Sequence, residues 1–219
     1  KRGELNGLKG LKFLNKSELN KREPNVLAFK SLLVPEEGIV DYRQVMNKLS
    51  EIIQECGGMI HLNSKIQKVI NQNNSITVFS NENEINFDKI INCTGLFSDR
   101  TFNLITKKKR PLRIIPFRGE YMKIKSEYND IINHLIYPVP DSKYPFLGVH
   151  FTRMINGDRE VGPNAVLAFK REGYKNTDFS ISDTLDSVVY KGFFNFLKNN
   201  FSFVIGEFSS SIFLSSFVN

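Results

Sequence analysis

Lys89-Ile90-Ile91-Asn92-Cys93-Thr94-Gly95-Leu96-Phe97-Ser98-Asp99-Arg100 is a short apolar run that closes on a Thr-Gly pair and passes into polar residues. Residues 89–93 read as a buried strand, and Gly95 as the turn after it, where a missing Cβ lets the backbone approach a ligand closely. Working outward on the N-terminal side, Asp41 stands as an N-cap before Val45, Met46, Leu49, Ile52 and Ile53, and Gly57-Gly58 closes the run. That spacing predicts a capped amphipathic helix. Residues 59–62, 66–70, 75–80 and 84–87 read as short strands, with Asn73-Asn74 suited to a hairpin turn. The first forty residues read as a short helix, a loop and a connecting strand, broken at Glu23-Pro24-Asn25 and at Val34-Pro35-Glu36-Glu37-Gly38. On the C-terminal side, residues 112–117, 120–124, 135–138, 148–151 and 159–161 read as strands of a mixed sheet. A helical tail follows, with Ser182-Asp183 as its cap and Val188, Val189, Phe193, Phe194 and Leu197 at helical spacing. The fold class expected is α/β in the α+β sense.

Composition narrows the function classes. The chain has 219 residues, 41% of them hydrophobic, and a formal net charge of +7. It is long enough to bury a sizeable core. The basic residues are dispersed except for Lys107-Lys108-Lys109-Arg110, which reads as a solvated loop, and no nucleic-acid-binding signature accompanies it. Cys56 and Cys93 match neither a zinc spacing nor a disulfide framework, which fits a reducing compartment. No apolar stretch approaches the roughly 20 residues that span a bilayer. The chain has no initiator Met and ends on the apolar stretch 209–219, so it is expected to be an internal piece of a longer protein.

Motifs in a fixed order carry a resemblance. They are Glu23-Pro24-Asn25-Val26, Gly38-Ile39-Val40-Asp41-Tyr42, Ile115-Pro116-Phe117-Arg118-Gly119-Glu120-Tyr121 and Leu135-Ile136-Tyr137-Pro138-Val139-Pro140-Asp141. After these come Phe146-Leu147-Gly148-Val149-His150-Phe151-Thr152-Arg153, Gly162-Pro163-Asn164-Ala165-Val166 and Lys170-Arg171-Glu172-Gly173-Tyr174. Together with Cys93-Thr94-Gly95 they make the chain resemble, over nearly its whole length, the L-2-hydroxyglutarate oxidase/dehydrogenase family of the D-amino-acid-oxidase-like flavoproteins. The resemblance implies a partial FAD/NAD(P)-binding-type domain at 39–105. It also implies a mixed-sheet substrate domain with helices at 106–219, to which 1–38 is a connecting part. It implies FAD as cofactor, oxidation of L-2-hydroxyglutarate to 2-oxoglutarate, and O2 or a quinone as electron acceptor. A cytoplasmic location, or peripheral contact with the inner membrane, goes with it. The glycine-rich turn that receives the FAD pyrophosphate in that family has no counterpart here, so weak FAD binding by this chain alone is expected. Two other readings stay open: another flavoenzyme of the superfamily acting on an amino acid or hydroxy acid, and a non-catalytic substrate-binding module.

Oxidising a 2-hydroxy acid needs a base for the hydroxyl proton, cations for the carboxylates and an acceptor for the α-hydrogen with its electrons. His150 is the candidate base. In a strand it shares a face with Thr152, whereas Phe151 and Arg153 share the other, so His150 and Arg153 are expected on opposite sides. Arg118 and Arg153 are the candidate carboxylate ligands, since a guanidinium fork fits a carboxylate with two parallel hydrogen bonds. Tyr137 and Asn164 are candidate neutral contacts to the substrate, and Thr94, Gly95 and Leu96 candidate contacts to the flavin. His61 and His134 read as structural or solvent-facing.

Overall fold

The structure is a computed structural model and describes residues 2–72, 75–81, 83–140, 148–201, 204 and 206. It is a mixed α/β chain with antiparallel pairing. By compactness it divides into two units, Lys1–Cys56 with Gly119–Asn164, and Gly57–Arg118 with Ala165–Asn219.

The first unit opens with helix α1 (Arg2–Leu5), strand β1 (Lys12–Leu14), helix α2 (Lys16–Arg22) and strand β2 (Ser31–Leu33), and β1 pairs antiparallel with β2. A capping box starts α2: the Asn15 side chain accepts from the Glu18 N–H at 3.0 Å, and the Glu18 carboxylate accepts from the Asn15 N–H at 2.9 Å. Helix α3 (Tyr42–Glu55) begins as expected at Asp41, whose carboxylate accepts from the Arg43 N–H at 2.9 Å. Its apolar face stays largely exposed among the described residues.

Strand β6 (Phe117–Lys123) enters this unit at Gly119, and strand β8 (Arg159–Leu167) leaves it after Asn164. With β7 (His150–Arg153) they form a sheet of order β6-β8-β7. Leu14, Leu19 and Ile132 are buried here, and Arg159 is pinned by donating its Nε–H to the Ile132 carbonyl at 2.7 Å. Both carboxylate oxygens of buried Glu23 accept from the Asn133 N–H, and His134 Nδ1 lies 2.5 Å from one of them. His134 therefore fits the structural reading.

The second unit contains the antiparallel meander of β3 (Ile66–Gln72), β4 (Ser75–Ser80) and β5 (Asn83–Phe87), then a 3-10 turn at Gly95–Phe97 that runs into α4 (Ser98–Thr106). Val69, Ile76 and Val78 form its core, with Ile66, Ile90, Leu104 and Ile105 packed against them. After β8 come α5 (Ile181–Val188) and α6 (Lys191–Asn199).

Several sequence expectations are corrected. Residues 59–62 form no strand: the chain turns at Leu62–Asn63, Asn63 is left-handed at φ 54°, and Met59 and Leu62 are exposed. Residues 89–93 form no buried strand either. They pair with no strand among the described residues, and Ile91 is 85% exposed. A strand exists only through its ladder partners, and an apolar run alone does not provide them. Residues 112–116 are irregular, and the segment 135–138 contributes only the bridge Ile136↔Phe151. The tail is two helices, broken after Val188, and its first cap is Ser180, whose hydroxyl accepts from the Asp183 N–H. Asn73-Asn74, Asp141, Phe146-Leu147 and the stretch 209–219 lie outside the described residues.

Candidate active site

His150 begins β7 and is 7% exposed. Its Nδ1 lies 2.9 Å from the Gly148 carbonyl oxygen. A carbonyl only accepts, so Nδ1 carries the hydrogen and Nε2 keeps its lone pair in the neutral ring. Two tyrosines flank the ring: the Tyr137 centroid is 4.8 Å away in a tilted stack, and Tyr121 meets it edge-on at 6.2 Å. Gly162 is the cross-strand partner of His150. A Cβ at Gly162 would stand 2.7 Å from the Glu120 carbonyl oxygen and 2.8 Å from the Tyr121 ring, so glycine is what lets Tyr121 approach the pair. Burial pushes the Tyr121 phenol up and the Glu160 charge adds to it. Burial, then Glu37, does the same for Tyr137. Both phenols stay protonated at neutral pH and can donate.

Alternation along the paired strands puts His150, Thr152, Glu160 and Gly162 on one face. Asn164, 3% exposed, donates from Nδ2 to the Glu120 carboxylate at 3.3 Å. Arg153 points by the same alternation to the opposite face, is exposed, and has no hydrogen bond or ion pair among the described residues. His150 and Tyr137 thus come together in the first unit, with Tyr121 as a member that sequence reasoning missed, whereas Asn164 meets the side chain of Glu120, which alternation sets on the other face from Tyr121. Its signal was present in Arg118-Gly119-Glu120-Tyr121, but nothing in that string shows that its ring meets His150.

Arg118, in the second unit, donates to the carbonyls of Gly173 and Lys175 and to the Asn176 side chain. Its fork holds the loop 173–176, and a carboxylate there would share the guanidinium with that loop. Gly95 has φ +51°, and no atom lies within 4 Å of where its Cβ would be. Thr94 bonds the Asn92 side chain and the Thr101 hydroxyl, while the Leu96 carbonyl accepts from Arg171. The backbone at 92–95 joins no strand among the described residues, leaves open space at Gly95, and is bounded by a tightly held turn.

What holds that turn is a charged cluster that sequence reasoning missed. The Asp99 and Arg171 side chains are 0% and 2% exposed and bond each other through both guanidinium ends. Arg110 bridges Asp99 and Asp186, Arg113 and Arg171 also reach Asp186, and Arg100 joins Asp183. The reading of residues 107–110 as a solvated run fails at Arg110, which is held in this cluster. Hydrogen bonds from Arg110 hold the Asp186 carboxyl well below the usual range against the effect of burial. At Asp99 burial works to raise the carboxyl, and the Arg171 and Ile114 hydrogen bonds outweigh it. Among the described residues, no group of three or more His, Cys, Asp or Glu could hold a metal ion, and no helix is long and apolar enough to cross a membrane.

Comparison with known proteins adds to this geometry. The family described as DAO, FAD dependent oxidoreductase, matches residues 1–199. A protein of Indibacter alkaliphilus named L-2-hydroxyglutarate dehydrogenase is 45% identical over 192 residues, which cover 88% of this chain and 48% of that protein. Its namesake in Escherichia coli K12 is 42% identical, covering 94% and 49%. The human mitochondrial namesake is 38% identical, covering 99% and 49%. The chain thus spans about half the length of the curated relatives it matches. Among solved structures, an FAD-bound L-alpha-glycerophosphate oxidase of Mycoplasma pneumoniae shares the fold with a TM-score of 0.65 at 23% identity, over 77% of this chain and 45% of that one.

Proposed function

The chain belongs to the DAO family of FAD-dependent oxidoreductases, and from that premise we propose that it supplies the base and much of the substrate face of an enzyme oxidising L-2-hydroxyglutarate to 2-oxoglutarate. The observation that carries this reading is the His150 geometry: a buried ring, its Nδ1–H fixed on a carbonyl, its Nε2 left basic, and two protonated phenols beside it. Nε2 takes the hydroxyl proton of the substrate while the α-hydrogen leaves with its electron pair, which converts the C–OH into C=O. Tyr137 and Tyr121 orient the neutral oxygens, and Asn164 holds the Glu120 side chain. Arg153, the last residue of β7 and on the face opposite His150, is proposed for the distal carboxylate alone, and Arg118, whose fork the loop 173–176 shares, stays a proposed carboxylate ligand by residue type.

The open backbone at 92–95 fits a flavin, because Gly95 leaves room where any side chain would intrude. Thr94, Gly95 and Leu96 would hold it. When bound, FAD supplies the two-electron acceptor of the reaction. We assign residues 39–105 to the flavin-binding part and 1–38 with 106–219 to the substrate part. The electrons pass onward to O2 or to a quinone, in the cytoplasm or at the inner membrane surface.

Turnover of the complete enzyme tests the base. His150→Asn keeps a polar amide but no basic nitrogen, so kcat should fall roughly 10²- to 10⁴-fold with KM little changed. A variant that keeps kcat within a few-fold of the parent removes His150 from the chemistry.

A further inference from the structure

The charged cluster of the second unit has a flank that takes no part in the proposed oxidation. Its three carboxylates, Asp99, Asp183 and Asp186, face four guanidiniums, Arg100, Arg110, Arg113 and Arg171, so it keeps one net positive charge. On one side Asn103, Lys109, Arg110, Pro111, Arg113 and Tyr190 line a cleft of about 490 Å³. Arg110 gives both Nη1 hydrogens and one Nη2 hydrogen to Asp99 and Asp186. Arg113 donates from Nη1 to the Asp186 carbonyl at 2.7 Å and forms an ion pair with the Asp186 carboxylate at 3.3 Å. Among the described residues, the Nε–H of each arginine, one Nη2–H of Arg110 and both of Arg113 meet no acceptor. Lys109 is exposed and likewise has no partner among them. The Arg113 guanidinium lies over the Tyr190 ring, 5.4 Å from its centroid.

Carboxylates at the back hold these arginines rigid, and their outer edges keep donors to offer. Planar forks with unused N–H groups beside an exposed ammonium are the chemistry that grips phosphate oxygens. The surplus charge of the cluster and that of Lys109 add to two, which matches a phosphate dianion better than a single carboxylate. We propose that this cleft is a binding site for a phosphate-bearing anion. It is built wholly within the second unit and does not depend on the hydroxy-acid reading.

Calorimetric titration of the purified protein with inorganic pyrophosphate at low and physiological salt tests it. Pyrophosphate should bind. Lys109→Glu, which reverses an exposed charge, should weaken binding at least tenfold without lowering the unfolding temperature of the free protein. Arg113→Gln should weaken it as well, and glutarate, with two carboxylates and no phosphate, should bind far less. Cosedimentation with phosphatidylglycerol vesicles, compared with phosphatidylcholine, separates the two sources of phosphate. Vesicle binding lost in Lys109→Glu, with pyrophosphate inert, assigns the phosphate to a lipid headgroup. Binding of neither probe, or binding that both variants leave at full strength, overturns the proposal. Flavin loading and turnover are not the readouts, so failure of the hydroxy-acid reading would leave this result standing.

Discussion

At His150 the decisive bond runs to a backbone oxygen two residues away, because it determines which ring nitrogen is left for chemistry. The strand pattern around His150-Phe151-Thr152-Arg153 was legible in the sequence, and so was the opposition of His150 and Arg153, because side chains alternate in any strand. The tautomer and the two tyrosine rings were not, since they depend on where the segment 135–138 and strand β6 are placed in space. Arg118 and Arg153 looked equivalent as residue types but differ in environment: the fork of Arg118 is engaged by the loop 173–176, while Arg153 is exposed. If Arg153 meets the distal carboxylate, Arg153→Gln should raise KM for 2-hydroxyglutarate roughly tenfold, the loss of about 1.4 kcal/mol. KM for 2-hydroxybutyrate, which lacks that carboxylate, should hardly move. Equal effects on both substrates would place Arg153 away from the distal end.

At the scale of elements, α4 and α5 are tied through Asp99, Asp183 and Asp186 to four arginines. Helix α3 and the meander were readable because capping, periodicity and turn residues are local signals. The cluster was not, because Asp99, Arg110, Arg171 and Asp186 come from four separate stretches, and a lone Asp or Arg reads as surface in each. The lost strand at 89–93 has the same origin: pairing is a long-range property that an apolar run does not encode. Removing one partner of a buried ion pair costs about 3 kcal/mol or more. Asp99→Asn should therefore lower the unfolding temperature by roughly 6–12 °C. The pH dependence has a definite sign. The carboxyls of Asp99, Asp183 and Asp186 are depressed in the folded chain, so their stabilisation is complete above the unfolded value near 3.9 and is lost as pH falls through the folded values. Thermal unfolding should be nearly flat from neutrality to about pH 5 and fall steeply below about pH 4, with a shallower fall in Asp99→Asn. A steep loss between pH 6 and 8 would point to a different titrating group.

At the scale of the molecule, the mixed α/β class and the family were both legible. The ordered motifs are spread over nearly the whole chain, whereas the chain's compact units are assembled from discontinuous stretches that no linear reading joins. In the function we propose, this chain presents a 2-hydroxy dicarboxylate to a flavin. The most direct measurement is anaerobic mixing of the complete, FAD-loaded enzyme with single substrates while the flavin absorption is followed. L-2-hydroxyglutarate should bleach the oxidised flavin within a single turnover and yield 2-oxoglutarate. The D-enantiomer, L-glutamate and glycerol 3-phosphate should leave the flavin oxidised on the same timescale. Bleaching by an amino acid or by glycerol 3-phosphate, with L-2-hydroxyglutarate inert, would assign the enzyme to a different substrate class.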